Sequence, residues 1–316
     1  MRAAIIGLGQ VAWRYDRGQP TDGAVLTHLS VLLKAEIDVV GGADPNLHAR
    51  RDFTTSTGIT AHATVAALLD TVPDLVTIAS PNRFHAQHLM ACLDAGVKYI
   101  WLEKPATTDS TITHALAARA RAQGTRVMVG FQRRYMPSYQ TLKQDDLGPL
   151  IGIDVTYSRG LETNGAHMVD LILWLLGDQI PSLMGVVPGP LPATHVTEPC
   201  PSFLLQGVGN VPVTVTGLDL DYHSIDIVVH YRAGRRAVRH GGQTTLTEVK
   251  TPNPLFAGFY YLHSVYGSQN VQNEVGKVFP VMLQDLLQGS GDQPLSNLDS
   301  AWLGQSIVAQ VLDKCV

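Results

Sequence analysis

Short apolar segments alternate with segments of helical periodicity over about the first 125 residues of the chain. The apolar segments contain almost no polar residues, as expected for strands that are buried on both faces of a parallel sheet. Two of the helical segments end at Gly96 and Gly124, where a left-handed residue commonly terminates a helix. The predicted strands cover residues 3–7, 37–43, 74–80, 99–103 and 126–131. This alternation predicts an N-terminal α/β domain with a doubly wound, Rossmann-type parallel sheet.

The pattern changes after Phe131. A predicted strand at 148–160 precedes an apolar helix that ends near Gly177, and short alternating segments then dominate residues 182–250, with a predicted hairpin around Ala233 and Gly234. Helical patterns over 270–288 and 297–314 follow. We therefore expect a dinucleotide-binding domain at 1–128. A second, α+β domain with a mostly antiparallel open sheet is expected at 129–316 for substrate binding and oligomerisation, and its last helices can pack back on the first domain.

Composition and charge narrow the function classes. The chain is 45% hydrophobic and 16% charged, as is typical of globular proteins, and its net charge of −4 gives no indication of a nucleic acid or anionic membrane partner. No apolar segment approaches the ~18–20 residues of a membrane span. The three cysteines are too few and too scattered for a disulfide framework or a zinc site, and residues 2–6 predict a strand instead of a secretory signal. We therefore expect a cytoplasmic protein.

A glycine-rich turn follows the first predicted strand. Its spacing, Gly7-x-Gly9-x-x-Ala12, fits the dinucleotide-binding fingerprint, in which the third small residue lets helix and strand pack closely. In such folds the phosphates lie against backbone N–H groups at the start of the first helix. The candidate cofactor-binding residues of this turn are Gly7, Gly9, Gln10, Val11 and Ala12.

Asp44 follows the second predicted strand, where an acidic residue would accept hydrogen bonds from the adenosine ribose. A carboxylate repels a 2′-phosphate, so NAD is favoured; Arg50 and Arg51 lie close by in sequence and keep NADP as the alternative. Asp44 comes 35 positions after Gly9, well above the usual ~20. We interpret the excess, residues 13–26, as an insertion before the first helix that borders the cofactor or the substrate entrance.

Several short motifs occur in one order along the chain. They are Pro-Asn-x-x-His (Pro81, Asn82, His85), a helix that ends in Ala-Gly (Ala95, Gly96), Glu-Lys-Pro (Glu103, Lys104, Pro105), the stretch from Gly130 to Arg133, His-x-x-Asp (His167, Asp170) and the late PLSNLDSAWLGQSIV. Through these motifs the chain resembles the Gfo/Idh/MocA oxidoreductases, the family of glucose–fructose oxidoreductase and inositol dehydrogenase. The resemblance spans nearly the whole chain.

The resemblance implies NAD(P)-dependent oxidation or reduction of a sugar, sugar nucleotide, cyclitol or related polyol. It implies that residues beyond the glycine turn also bind the cofactor, and that Lys104 lies between the substrate and the nicotinamide ribose. These additional cofactor-binding residues are Ser80, Pro81, Asn82, His85, Glu103 and Lys104.

Two residues are candidates for the chemistry itself. A hydride leaves a carbinol carbon readily only if the hydroxyl proton is withdrawn in the same event, and histidine suits this role best because its pKa lies near working pH. His167 is the candidate base. A cation beside the same oxygen stabilises the forming alkoxide, and Lys104 can supply it. Both residues are also expected to contact the substrate.

The stretch before His167 departs from the family pattern. Many relatives carry an aspartate four residues before the histidine, where this chain has Thr163, which cannot act as a base. Asn164 is expected to position a substrate hydroxyl instead. Asp170, one helical turn beyond His167, is expected either to orient the histidine ring and contact substrate or to face solvent.

Other polar residues have less specific contexts. Arg133 can meet a substrate phosphate or carboxylate, with surface or interdomain pairing as the alternative. His85 and His88 are three residues apart, but no acid or cysteine completes a metal site, so no metal is expected. His223 falls in the predicted antiparallel region and is interpreted as a sheet-face residue.

The sequence leaves three functions open. The first is net dehydrogenation or reduction of a sugar or polyol. The second is transient internal oxidation by NAD, as in epimerases and eliminating enzymes. The third is a dinucleotide-binding sensor without turnover, which Thr163 favours and the pair of Lys104 and His167 opposes. Since relatives often cover the second face of the antiparallel sheet with another subunit, a homodimer or homotetramer is expected.

Overall fold

A computed structural model describes residues 1–18, 24–144, 146–189, 198–270 and 274–315. The chain forms two compact units, one of Met1–Gln132 with Val275–Trp302, the other of Arg133–Glu274 with Leu303–Val316. The sequence predicted a division after residue 128, with helices returning from the end of the chain. In the structure, the segment that joins the first unit comprises the penultimate helix and the beginning of the last one.

The first unit contains a six-stranded, all-parallel sheet of order β3-β2-β1-β4-β5-β6. This arrangement confirms the predicted doubly wound fold, since the order reverses beside β1. The two-residue β3 was not predicted, because so short a segment has no recognisable alternation. The strands are β1 Arg2–Ile6, β2 Asp38–Ala43, β3 Ala61–His62, β4 Leu75–Ile78, β5 Tyr99–Leu102 and β6 Arg126–Val129.

The helices begin and end where local sequence dictates. Asn46 caps α2 by accepting hydrogen bonds from the N–H groups of His48 and Ala49, and Asp109 caps α5 in the same way. Gly96 and Gly124 have φ values of 70° and 68°, the left-handed conformation that was predicted for them. The α-helices are α1 His28–Lys34, α2 Leu47–Thr57, α3 Val65–Leu69, α4 His85–Asp94, α5 Ser110–Gln123, α6 Pro137–Gln140, α7 Ala166–Leu175, α8 Val275–Gln288 and α9 Leu298–Asp313.

The second unit contains an eight-stranded sheet of order β14-β13-β12-β11-β7-β10-β9-β8. All neighbouring strands are antiparallel except β7 and β10, which confirms the mostly antiparallel prediction. The predicted hairpin joins β11 and β12, with Tyr231 paired to Gly234. The strands are β7 Leu150–Ser158, β8 Ser182–Val187, β9 Ser202–Gly207, β10 Val211–Leu218, β11 Ile225–Tyr231, β12 Gly234–Arg239, β13 Thr244–Pro252 and β14 Tyr260–Asn270.

A buried ion pair anchors α7 within the second unit. The fully buried Arg134 donates from Nε to Asp170 Oδ2 at 2.9 Å and from Nη2 to the Asp170 main-chain oxygen at 3.1 Å. Its Nη2 also donates to Asp178 Oδ1 at 2.9 Å, just beyond the end of the helix. One guanidinium therefore holds both the middle of α7 and the loop that follows it. Removal of either Arg134 or Asp170 would leave the other as an unpaired buried charge.

Among the described ranges, no helix is long and apolar enough to cross a membrane.

Two glycines of the first turn provide a matched test of the fold. We expect Gly7→Ala to lower the free energy of unfolding by at least about 1–2 kcal/mol, because Gly7 has a φ of +87°. In addition, an added Cβ would lie 2.6 Å from the main-chain nitrogen of Ser80. Gly9→Ala should melt close to the parent, because nothing lies within 4 Å of its added Cβ. Thermal unfolding measures both variants, and equal melting temperatures would contradict this account.

Candidate active site

The glycine turn is closed by a carboxylate. The Gly7 N–H donates to the main-chain oxygen of Ala43 at 2.8 Å, and the Leu8 N–H donates to Asp44 Oδ2 at 3.0 Å. Gly7 is buried, whereas Gly9 is exposed, with open space where a side chain would stand. The turn thus brings together Gly7, Gly9 and Asp44, and it leaves the main chain at Gly9 accessible to a ligand.

Asp44 is held in place by its own loop. Its Oδ1 accepts the Asn46 N–H at 2.8 Å, and the Arg50 side chain donates to the main-chain oxygens of Asp44 and Pro45 at 2.8 and 2.9 Å. A carboxylate offers about four acceptor positions. Two main-chain bonds therefore leave it able to accept hydrogen bonds from a ribose diol. These residues fit the adenosine end of a dinucleotide.

The insertion interrupts a helix after its first turn. The Trp13 and Arg14 N–H groups donate to the Gly9 and Gln10 oxygens, which forms one helical turn directly after the glycines. The N–H groups of His28 and Leu29 donate to the Val11 and Ala12 oxygens, so that α1 takes up the same helical path. From the sequence we expected the insertion to lie before the whole first helix. In the structure, the first turn of that helix comes before the insertion. Val11 and Ala12 thus serve as the junction of the two parts.

The base of the insertion is fixed by hydrogen bonds and packing. Asp16 accepts the Leu26 N–H and the Thr27 hydroxyl, the latter at 2.7 Å, which joins its two ends. Trp13 packs edge-on against Phe53 of α2, with ring centroids 5.6 Å apart. Residues 19–23 lie outside the described residues, so the predicted role of the insertion as a border of the cofactor or substrate entrance stays a hypothesis.

His85 connects two turns of the first unit. Its ring is fully buried, with Nδ1 2.7 Å from the Pro105 oxygen and Nε2 2.8 Å from the Ser80 oxygen. The Lys104–Pro105 peptide bond is cis. From this position His85 fixes the turn at Ser80 and the turn at Pro105 relative to each other. The neighbouring Pro81 and Asn82 are exposed.

Glu103 forms a pair with a histidine that the sequence analysis did not single out. His28 Nε2 lies 3.0 Å from Glu103 Oε1, and its buried ring packs edge-on against Trp101 at a centroid distance of 4.8 Å. Glu103 also lies so close to Gly130 that an added Cβ there would be 2.9 Å from Oε2. The half-buried Lys104 follows directly. The pair therefore fixes the backbone that presents Lys104.

In the second unit, a single turn of π-helix, Leu161–Gly165, runs directly into α7. His167 is the second residue of α7 and is 9% exposed. Asn164 Nδ2 donates to the Ser158 oxygen at 2.8 Å and lies 3.2 Å from His223 Nδ1. Asn164 and His167 therefore belong to one turn, and His223 joins them from the loop between β10 and β11 instead of from the predicted sheet face.

Asp170 does not face solvent. It is 1% exposed and bonded to Arg134, as described above. Burial raises its pKa to about 6, although the charge of Arg134 acts in the opposite direction. Asp170 therefore fixes the helix that carries His167, and its predicted contact with substrate stays untested.

Arg133 is a nearly buried cation of the second unit, and Asp170 is among the groups on which its charge acts. It is 8% exposed, and its Nε and Nη1 have no hydrogen-bond partner among the residues that the structure describes. The positive charge of Arg133 acts to lower the pKa values of Tyr139 and His223. Burial, followed by the charges of Arg133 and Arg159, lowers the pKa of His223. The group is suited to an anion, because unsatisfied guanidinium N–H groups bind phosphate or carboxylate well.

No group of three or more histidines, cysteines or acidic residues that could hold a metal ion occurs in the described part of the chain. We did not expect His88 to bind a metal. Its Nδ1 forms a 2.9 Å hydrogen bond with Ser80 Oγ. Burial, followed by the charge of His85, lowers the pKa of His88. The Ser80 side chain is thereby oriented within the turn after β4.

The sequence missed His28 and His223 as site residues. Each depends on a partner far along the chain, Glu103 for His28 and Asn164 for His223, and periodicity detects only local neighbours. The predicted residues themselves fall into two sets, each described within its own unit. The glycine turn, Asp44, Ser80, His85, Glu103 and Lys104 belong to the first; Arg133, Asn164, His167 and Asp170 belong to the second.

Comparison with known proteins agrees with this geometry. Residues 1–131 match the family model GFO_IDH_MocA, described as an oxidoreductase family with an NAD-binding Rossmann fold. The chain is 28% identical to a D-glucoside 3-dehydrogenase of Escherichia coli over 206 residues, which cover 56% of this chain and 54% of that protein. The chain spans about half, or less, of the length of the curated relatives that it matches.

Solved structures share the fold over nearly the full chain. A UDP-N-acetylglucosamine 3-dehydrogenase from Acidithiobacillus ferrooxidans has a TM-score of 0.77 at 17% identity, covering 100% of this chain and 97% of that one. A 3-ketoreductase from Actinomadura kijaniata, a point mutant in complex with TDP-benzene and NADP, has a TM-score of 0.73 at 18% identity, with 99% and 97% covered. Over its first 131 residues the chain thus matches the Gfo/Idh/MocA family model with its NAD-binding Rossmann fold, and the solved structures share the fold of the whole chain.

Proposed function

We propose that the protein is an NAD(P)-dependent oxidoreductase that transfers a hydride between nicotinamide and a hydroxyl or keto carbon of a sugar, sugar nucleotide or cyclitol. The observation that carries this proposal is the closure of the glycine turn by Asp44 through the Leu8 N–H. That bond holds a carboxylate beside an exposed main-chain turn, which supports the proposal because a dinucleotide requires this combination.

The first unit would hold the dinucleotide at two places. Gly9 and the residues after it offer main-chain N–H groups to the diphosphate, and Asp44 offers its carboxylate to the adenosine ribose. NAD is favoured over NADP because this carboxylate repels a 2′-phosphate, and the Arg50 side chain is engaged with main-chain oxygens. A bound nicotinamide would supply the hydride acceptor.

Two side chains would act on the substrate. His167, at the start of α7, would accept the proton of the hydroxyl that is oxidised. Lys104, presented by the turn that Glu103 and His85 fix, would supply a cation that stabilises negative charge on the substrate. In the reverse direction His167 would return the proton to the keto oxygen.

A sugar nucleotide is the substrate class that we favour. The nearly buried Arg133, whose charge acts on His223 together with that of Arg159, supplies donors for the diphosphate of such a molecule. The printed names of two structural neighbours, the UDP-N-acetylglucosamine dehydrogenase and the ketoreductase with bound TDP-benzene, support this choice.

We further propose a homodimer or homotetramer in a reducing, cytoplasmic compartment. Strand β14 lies at an edge of the large sheet, and it and the loop before it expose large apolar side chains. Such an edge promotes pairing with a second chain. Cys92, Cys200 and Cys315 are free thiols, which suits reducing conditions. The exposed apolar residues are Leu255, Phe256, Phe259, Tyr260, Tyr261, Leu262 and Val265.

Sedimentation equilibrium tests the assembly. We expect a dimer or tetramer for the parent protein. We also expect the Phe259→Asp variant to shift toward monomer, because the 69% exposed Phe259 ring would be replaced by a charge at the contact. A monomeric parent protein at micromolar concentration would refute the proposed assembly.

The role of His167 is tested by the His167→Ala variant. We expect kcat to fall about 10²–10⁴-fold, the usual contribution of a positioned base, with dinucleotide affinity retained because the cofactor residues lie in the first unit. Reduced-nicotinamide absorbance across inositols, glucosides and UDP-sugars gives the rate, and fluorescence titration gives the affinity.

The matched control is His230→Ala. His230 lies on β11 and bonds to Asp154, so this variant should keep the parent rate. Normal turnover by His167→Ala would reject the assignment. Substrate conversion without net reduction of nicotinamide would favour internal cofactor recycling.

The substrate class is tested by Arg133→Gln. We expect KM for UDP-N-acetylglucosamine to rise about tenfold or more, because a hydrogen bond to a charged group is worth about 1.5–3 kcal/mol. KM for myo-inositol, which carries no phosphate, should change little. The exposed Arg232 of the β11–β12 turn provides the control Arg232→Gln. Equal losses on both substrates would contradict a diphosphate subsite.

A further inference from the structure

The segment Glu198–Pro201 is fastened against the π-helical turn that precedes α7. The Leu161 N–H donates to the Pro199 oxygen at 3.0 Å, and the Gly160 N–H donates to the sulfur of Cys200 at 3.0 Å. The hydroxyl of the fully buried Tyr157 donates to the Pro201 oxygen at 2.7 Å. These bonds fix the segment at the beginning of the turn.

Glu198, the first residue of this segment, directs its carboxylate at Thr163. Its Oε2 accepts the Thr163 N–H at 2.9 Å, and its Oε1 accepts the Thr163 hydroxyl at 2.7 Å. The close approach requires a glycine at position 160, since an added Cβ would lie 2.2 Å from Oε2. Both oxygens are thus oriented, and each keeps an acceptor position for another donor.

Thr163 lies four residues before His167 on continuous helical backbone. Residues three or four apart on a helix surface are neighbours, with Cβ atoms about 5–6 Å apart. Thr163, and the carboxylate bonded to it, therefore lie about one helical turn before His167, at the start of α7. Glu198 itself is partly exposed, so its remaining acceptor positions are accessible to a ligand.

The charge of Glu198 also acts on the neighbouring Glu162. Burial, followed by the charge of Glu198, raises the pKa of Glu162. The turn thus presents an acceptor group at Glu198, and the His223 ring, whose Nδ1 accepts from the Asn164 amide, keeps its Nε2–H as a donor. A sugar ring offers hydroxyls that can meet both kinds of partner.

We propose that Glu198 is a substrate-binding residue, whose carboxylate accepts a hydrogen bond from the hydroxyl next to the one that His167 deprotonates. Thr163 is its positioning residue. The substrate feature recognised is a pair of vicinal hydroxyls. This inference rests on the proposed function, because it requires that His167 act on a sugar or polyol.

Relocation of the carboxylate tests the proposal. We expect Glu198→Ala to raise KM about tenfold or more. Thr163→Asp alone should also be impaired, because its carboxylate would face that of Glu198. The double variant Glu198→Ala/Thr163→Asp should recover most of the loss, since the new carboxylate stands where the old one was held. A double variant no better than Glu198→Ala would overturn the proposal.

Glu198→Gln separates recognition from folding. Its amide oxygen can still accept a bond from Thr163, so the melting temperature should stay near that of the parent while KM rises. Glu248→Gln on β13, which removes the carboxylate paired with Arg235, is the control and should keep the parent KM. An unchanged KM in Glu198→Gln, or a loss of stability that accounts for the whole effect, would overturn the substrate-binding role.

A last experiment distinguishes failure of the Glu198 proposal from failure of the proposed function. Calorimetry measures the binding of myo-inositol and UDP-N-acetylglucosamine to the protein with NAD, and turnover is measured in parallel. If the parent is active and His167→Ala is inactive, while the Glu198 variants bind and turn over like the parent, only this inference fails. If the parent neither binds nor converts any sugar or polyol of the panel, both fail.

Discussion

The position of α7 in the second unit depends on the fully buried guanidinium of Arg134. Arg134 bonds to the side chain and main chain of Asp170 and to Asp178, and so fixes the middle and the end of an otherwise apolar helix. Apolar packing alone specifies the rotation and translation of a helix weakly, whereas a directional guanidinium fork specifies both. The first turn of the same helix carries His167 and continues the turn of Asn164 and Thr163. The position of the candidate base is therefore set by ion pairs in the middle and just beyond the end of the helix that carries it.

The first unit solves a comparable problem with main-chain bonds. His85 holds two turns by their carbonyl oxygens, and His28 holds Glu103 beside Lys104. In both cases a buried imidazole fixes a turn whose neighbouring residues are exposed or half-buried, as Pro81, Asn82 and Lys104 are. Turns held in this way stay rigid without a large apolar core beneath each loop, because each polar contact is directional.

The sequence could predict what local physics determines. Buried parallel strands, the glycine turn, Asp44 and the two left-handed helix ends all follow from periodicity or backbone preference, and the structure has them as expected. The sequence could not predict the hydrogen-bond partners of Glu198, His28 or His223, because each of these bonds joins segments that are distant along the chain. The two-residue β3 and the π-helical turn were missed for another reason: both are too short to leave a periodic pattern.

The interrupted helix after the glycine turn gives the first unit an unusual freedom. The helix continues after the insertion because the N–H groups at the start of α1 bond to the Val11 and Ala12 oxygens, and Asp16 bonds to Thr27. The two ends of the insertion are therefore adjacent, so its length does not affect the path of the helix. Loop closure costs grow only slowly with length. Evolution can therefore lengthen, shorten or replace this insertion while the nucleotide-binding framework keeps its register, which makes it a natural place for diversification among related chains.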